Sequence, residues 1–201
     1  SDDKASKLIK FNDSTKYNYG WNGSIQRTGS GNAGLITLES SPQITYTAFS
    51  WNGWFKDDAT DSDWAYWSAY DQNSGSEYPM MMNCYDASPC NKIQYSIATS
   101  SGTYSDTYAY TPSSTTWGMW TWTYDGSNMR LYRNGAEVDS VAATGTIDVE
   151  ALLLSIRRQG TGTYLGAGKP TMDDVSFWNE TLNTTQITEL YNDGAGKRVD
   201  E

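Results

Sequence analysis

The sequence predicts an all-β fold, two antiparallel sheets packed face to face with one short helix near the C-terminus, and three observations carry that prediction. Large side chains recur with period two, the spacing of a strand whose successive residues point to opposite faces, above all in Trp117–Val138. Aromatic residues make up 14% of the chain, and it is poor in aliphatics but rich in Gly, Ser and Thr, so the core must be built from rings carried on strands. Only one stretch, 181–194, shows helical spacing. With 201 residues and no Pro/Gly/Ser linker between two apolar halves, the chain reads as a single domain, 1–201.

Taken in order, Lys7–Phe11 is a short first strand ended by Asn12, Asp13 and Ser14, and Leu35–Leu38 is another after the glycine-rich stretch 29–34. Ile44–Lys56 carries bulk on both faces, Phe49, Trp51 and Phe55 on one and Tyr46 and Trp54 on the other, as a central strand covered on two sides does. An acidic loop follows, then Trp64–Tyr70 resumes a strand before the turn at 72–77. Tyr78–Cys84 and Lys92–Thr99 read as partners across a cysteine loop, and 100–116 as a long polar connection. In the next segment Trp120, Trp122 and Tyr124 share one face and Met119, Thr121 and Thr123 the other, while Met129 and Leu131 alternate with Arg130 and Tyr132. Asp125-Gly126 and Asn134-Gly135 are turn dipeptides, so this region is a tight antiparallel ribbon. Leu152–Arg157 is a late strand and Met172–Trp178 the last. In the helix, Asn183 is placed to cap, Gln186 holds the capping-box position, Ile187, Leu190 and Tyr191 share a face, and Gly194 is the glycine just past the end.

A formal charge of −10 and a pI near 4.4 repel phosphate backbones, which excludes nucleic acid as a partner. No apolar run has membrane-spanning length. A start at Ser1 fits a cleaved leader, an excised initiator Met or a fragment of a longer protein alike. Cys84 and Cys90 are expected to close a short disulfide loop, there being no third cysteine and no histidine for zinc. Sequons at Asn12, Asn22, Asn179 and Asn183 arise readily in a Ser/Thr-rich chain and carry no function.

Two stretches, WGMWTWTYDGSNMRLYRNGAEV and GKPTMDDVSFWNETLNTTQITELYNDGAG, resemble the second half of LamG-like (laminin G-like) jelly-roll domains of the concanavalin A-like lectin and glucanase superfamily. The resemblance rests on Trp117, Tyr124-Asp125-Gly126, the run from Leu131 to Gly135, Met172-Asp173-Asp174-Val175 and the run from Leu182 to Ile187, and more loosely on the stretches from Leu8 to Phe11 and from Phe49 to Lys56. It implies a two-sheet jelly-roll sandwich. Met119 stands where relatives often carry His, and Trp120 and Trp122 replace smaller aliphatics, so the core is bulkier than usual.

Fold does not imply function, and this family holds glycan binders, adhesion modules and accessory domains of enzymes. A glucanase of this superfamily needs a Glu-x-Asp-x-Glu strand, and the nearest stretch here, Glu137-Val138-Asp139, lacks the third acid. Without histidine, Ser-His-Asp, Cys-His and His-based metal catalysis are excluded as well. No enzyme is expected. Calcium is the expected ion: Asp57, Asp58, Asp61 and Asp63 crowd one loop, and Asp173 and Asp174 sit where LamG-like relatives place acids near the rim. One of that last pair must face inward or hold a turn. Trp64, Trp67, Tyr104, Tyr108, Tyr110 and Tyr164 lie on or beside polar loops and are the candidate rings for stacking on a sugar. The expected function is a non-catalytic recognition or adhesion module, carbohydrate-binding and calcium-assisted, in a secreted protein or on a cell or virion surface, with a glycan or surface protein as partner. The alternative is a structural protein–protein module, such as a capsid decoration or fibre protein within a larger surface assembly.

Overall fold

The computed structural model describes residues 7–13, 16–22, 25–26, 35–37, 44–56, 65–70, 80–85, 91–111, 115–149, 151–155, 158–159, 163–164 and 171–197. The first strands in chain order are β1 (Lys7–Asp13), β2 (Lys16–Asn22), β3 (Ile25–Gln26), β4 (Leu35–Thr37), β5 (Ile44–Tyr46), β6 (Phe49–Lys56), β7 (Ala65–Tyr70), β8 (Met80–Tyr85) and β9 (Lys92–Thr99). After them come β10 (Gly102–Ala109), β11 (Gly118–Tyr124), β12 (Asn128–Arg133), β13 (Ala136–Ala142), β14 (Ile147–Val149), β15 (Ala151–Ser155), β16 (Arg158–Gln159), β17 (Thr163–Tyr164) and β18 (Thr171–Trp178). Helix α1 (Thr184–Tyr191) then runs into a 3-10 turn at Asn192–Gly194.

Two antiparallel sheets form the sandwich, one ordered β1-β2-β18-β6-β11-β12-β13 with β3 beside β18, the other β10-β9-β8-β7-β15-β4. The pairs β5–β14 and β16–β17 stand as separate ribbons. Between the sheets lies a core in which rings replace the usual aliphatics: Phe49, Trp51 and Phe55 from β6 and Trp120, Trp122 and Tyr124 from β11 face Met80 and Met82 from β8 and Ile93, Tyr95 and Ile97 from β9. Register sets this, since Trp122 lies opposite Trp51 and Tyr124 opposite Phe49, while the glycines on that face meet rings, Gly53 opposite Trp120 and Gly118 opposite Phe55.

The ribbon forms as its turn residues dictate. Asp125 Oδ1 accepts the N–H groups of Ser127 and Asn128 at 2.9 and 2.7 Å, and its other oxygen pairs with Arg130 at 2.5 Å. Burial alone would raise the Asp125 carboxyl, but Arg130 and those two N–H groups outweigh it and hold the carboxyl below its ordinary value. Asn134 and Gly135 both have positive φ, 51° and 82°, the two-residue turn that matches strand twist.

Three expectations are corrected. The predicted strand 44–56 is two strands, because Tyr46 and Phe49 both enter the core and residues three apart cannot share a face of an unbroken strand. The break at Thr47 and Ala48 lets Tyr46 meet Phe177 edge-on at 5.4 Å while β5 leaves to pair with β14. The stretch 100–116 is not a connection throughout: β10 pairs with β9 without a bulge from Gly102 to Ala109. It reads as polar because it is an edge strand, with Tyr104, Asp106 and Tyr108 half-buried on one face and Thr103, Ser105 and Thr107 exposed on the other. The helix ends earlier than its glycine, at Asn192, which takes the left-handed conformation itself (φ 46°).

The N-terminus of α1 is as predicted, with Asn183 Oδ1 accepting Gln186 N–H at 3.0 Å and Gln186 Oε1 accepting Asn183 N–H at 2.9 Å. The helix covers the outer face of the first sheet, where Leu182 and Ile187 join Trp54, Met119, Tyr132 and Trp178 in a second apolar cluster. Asn183→Ala is therefore expected to cost about 1 kcal/mol. Urea unfolding followed by tryptophan fluorescence measures it, and an unchanged midpoint would show that the cap does not hold the helix.

Candidate functional site

At one end of the first sheet β6 finishes, β11 begins and β18 begins, so side chains on their outer faces converge beside the end of α1. Trp54, Trp117, Asp173, Asp174, Gly194 and Ala195 line an open depression there of about 190 Å³. Trp54 is held by stacking on Tyr191 of α1, centroids 5.8 Å apart and planes 19° from parallel. The Lys56 ammonium lies 5.3 Å from the Trp117 ring centroid, close enough for a cation–π contact. Gly196 brings the backbone against the wall, since a Cβ there would stand 3.3 Å from Trp54 Nε1 and 3.7 Å from Asp174 Oδ2.

The two aspartates reach the depression through a bulge. Asp173 lies opposite Trp54 and Ser176 opposite Asn52, so β18 carries one extra residue between these pairs. Asp174 takes up the irregularity with φ 45°, and its N–H donates to Asp173 Oδ1 at 2.9 Å. Neither side chain enters the core; Asp174 holds the backbone irregularity, one of the two outcomes expected of the pair. A left-handed non-glycine residue costs on the order of 1–3 kcal/mol, and such strain concentrates at functional sites.

Asp57, Asp58, Asp61, Asp63, Trp64 and Cys90 lie outside the described residues, and for Trp67, Cys84 and Tyr164 only the backbone in β7, β8 and β17 is described. Tyr104 and Tyr108 pack against the core from β10, and Tyr110 is 6% exposed; none of the three lines the depression. Among the described residues no three Asp, Glu, His or Cys come together to hold a metal ion, so calcium with its six to eight oxygens does not fit Asp173 and Asp174 alone. Sequence reasoning missed Trp54 and Trp117 as site residues.

Three phenols are shifted upward from the ordinary 10.0: Tyr95 by burial and then by the carboxylates of Asp139, Asp106 and Glu137, Tyr124 and Tyr132 first by burial. A raised native pKa means that the stability these protonated phenols contribute is full below pH 10 and is lost as pH rises through the native values. Phenolate absorbance should thus rise in two stages, exposed tyrosines first and these three only with unfolding; a single stage at the ordinary pH would contradict the burial.

A family profile described as the concanavalin A-like lectin/glucanases superfamily, of the laminin G type, matches residues 30–188. The chain belongs to that superfamily. Among solved structures, this laminin G-type chain is similar to the binding domain of Paraclostridial Mosquitocidal Protein 1, with TM-score 0.62, 14% identity and coverage of 95% of this chain and 46% of that one. A structure of botulinum neurotoxin type C, described through its interaction with two ganglioside molecules, aligns with TM-score 0.57 and 16% identity over 94% of this chain and 44% of that one. The binding domain of botulinum neurotoxin DC in complex with rat synaptotagmin II aligns with TM-score 0.56 and 13% identity, covering 94% and 45%. At these identities the likeness shows a shared fold, and the chain spans about half the length of the structures it matches. Among curated proteins none matches the sequence.

Proposed function

We propose that this laminin G-type domain is a non-catalytic recognition module, a single folding unit acting outside the cell, whose outer-face depression holds one sugar ring of a surface glycan. The convergence of the half-buried Trp117 indole and two carboxylates carries the reading, with Trp54, 8% exposed and stacked on Tyr191, offering little free face: a ring face suits the C–H face of a pyranose, and carboxylates accept its hydroxyl protons. At about 190 Å³ the space is below the roughly 300–1,000 Å³ of drug-sized sites, so it suits one ring or a chain end. Glycosidase chemistry needs carboxylates on opposite sides of a glycosidic bond, whereas Asp173 and Asp174 are successive residues of one strand. Proteins of the same fold that meet gangliosides and synaptotagmin support a glycan or surface-protein partner. Among the described residues no helix is long and apolar enough to cross a membrane.

Calcium enters this reading as a staple, held by some of Asp57, Asp58, Asp61, Asp63, Asp173 and Asp174, since an ion relieves repulsion among close carboxylates and orders the loops that bear them. A glycan array probed with and without calcium tests both parts. The expected result is a calcium-strengthened signal that Trp117→Ala weakens about tenfold or more at unchanged melting temperature. No glycan signal in either condition sinks the sugar reading and leaves a protein–protein module, of the capsid-decoration or fibre kind. A melting temperature indifferent to calcium and to EDTA removes the ion.

A further inference from the structure

We propose that Arg133 is the donor of a second, anion-binding site at the same end of the sandwich, accepting the carboxylate or sulfate of an acidic sugar; this rests on the glycan reading of the depression. Arg133 closes β12 directly opposite Trp120 on the inner face of the sheet. Its guanidinium carbon stands 4.5 Å from the Tyr110 ring centroid and 5.5 Å from that of Trp120. Those rings are themselves locked edge to face, 5.0 Å apart at 85°, and both are buried. The platform is therefore rigid, and the guanidinium plane is set before any ligand arrives.

Among the described residues the side chain has no counter-charge. Arg130, on the same strand, pairs with Asp125 at 2.5 Å, whereas Arg133 meets no carboxylate among the described residues in a chain with 24 Asp and Glu. Its Nε is buried without an acceptor, as is Nε1 of Trp120. The buried Nε is out of reach of any ligand, but a half-buried guanidinium fixed on two rings with no carboxylate beside it among the described residues can offer its outer edge to an acceptor supplied from outside. An oxyanion fits there through charge-assisted hydrogen bonds to the planar guanidinium. The charge of −10 repels polyanions and selects a ligand with isolated anionic groups, which excludes nucleic acid again.

Chain continuity links the site to the depression. Gly118 follows Trp117, and a Cβ at Gly118 would lie 3.9 Å from Arg133 Nε and 3.8 Å from Asn134 Oδ1. The depression and the guanidinium thus sit at one end of the sheet on its opposite faces, with Gly118 between them.

The test is a titration of the whole chain with glucuronate, sulfate and, as neutral control, glucose, following the side-chain nitrogen–proton resonances of Arg133 Nε and Trp120 Nε1. Saturable movement of the Arg133 resonance with the anions and not with glucose or sodium chloride is expected. On the array, acidic glycans should bind better than neutral ones, and Arg133→Gln should remove that preference, weakening acidic glycans roughly ten- to hundredfold. Because Arg133 also covers Tyr110, Arg133→Lys is the second variant; it keeps the charge, loses the fork and should lose most of the preference. An Arg133 resonance that ignores both anions overturns the proposal even if neutral glycans bind, and the depression keeps its role. If the anions move Arg133 but no glycan binds, the sugar reading fails and the bare anion site stands. Competition by an acidic peptide at concentrations where glucuronate is silent overturns the acidic sugar in favour of a protein partner.

Discussion

Trp122→Ala is expected to cost the fold about 3–5 kcal/mol, the range for removing a buried aromatic ring from a core that cannot collapse onto the void. Trp122 is 0% exposed at the centre of β11, with Trp51 opposite it on β6 and Leu131 opposite it on β12. Phe49 meets its ring edge-on at 4.9 Å and 87°, and Tyr95 of the facing sheet stands 6.2 Å away at 72°. The ring therefore touches both sheets, and its loss opens a hole between them. Aromatic contacts of this geometry add about 0.5–1.5 kcal/mol each beyond area burial, so Trp122→Phe should recover much of the loss. Against a typical domain stability of about 5–15 kcal/mol, the alanine variant should shift the urea midpoint strongly with the slope unchanged. A loss under about 1 kcal/mol would mean that Trp122 does not lie between the sheets.

What made the ribbon of β11, β12 and β13 legible was the agreement of two local signals, period-two rings and turn dipeptides with glycine. The capping box of α1 was legible for the same reason, since Asn183 and Gln186 speak only to each other and to the backbone between them. Where the reading failed, the deciding partner was remote. The break between β5 and β6 is set by Phe177, more than a hundred residues on, which Tyr46 and Phe49 both touch. The stretch of β10 looked like a loop because an edge strand with one wet face needs only Thr and Tyr to hold it on β9.

The site divides along the same line. Asp173 and Asp174 could be singled out because the resemblance marked that strand, but Trp54 and Trp117 could not. Whether an outward-facing Trp is covered or left lining a depression depends on where the segment after β18 returns, and no local pattern near Trp54 states that. Arg133 was still less visible, for in the sequence it is one more charged residue beside a turn. Only the register that sets it against Trp120, and the fold that brings Tyr110 beneath it, separate it from Arg130.

Gly145→Ala should be the costliest small substitution, at about 2–6 kcal/mol, because two penalties of about 1–3 kcal/mol each fall on one residue. The first is conformational: φ is +105°, a region that residues with a Cβ rarely enter. The second is steric, since the new Cβ would stand 2.7 Å from Thr99 Oγ1, 2.8 Å from Ser101 Oγ and 2.9 Å from Ser101 N, and the last of these is backbone. The crowding exists because the link from β13 to β14 is tied to the turn between β9 and β10. Ser100 N–H donates to Thr146 O at 2.8 Å, Thr99 Oγ1 donates to Thr144 O at 2.6 Å, and Thr146 N–H donates to Ser100 Oγ at 3.0 Å. Tyr124 Oη completes the joint from the first sheet by donating to Gly145 O at 2.6 Å. One sheet is thereby fastened to the other at this end, so an alanine methyl must push the two edges apart or give up these bonds. Tyr124→Phe removes only the hydroxyl and should cost about 1–3 kcal/mol. If both variants act through the same joint, the double variant should lose less than the sum of the singles. Strict additivity would show that the Tyr124 hydroxyl and the Gly145 backbone do not depend on each other, and a Gly145→Ala loss within about 0.5 kcal/mol would show that the joint does not close as described.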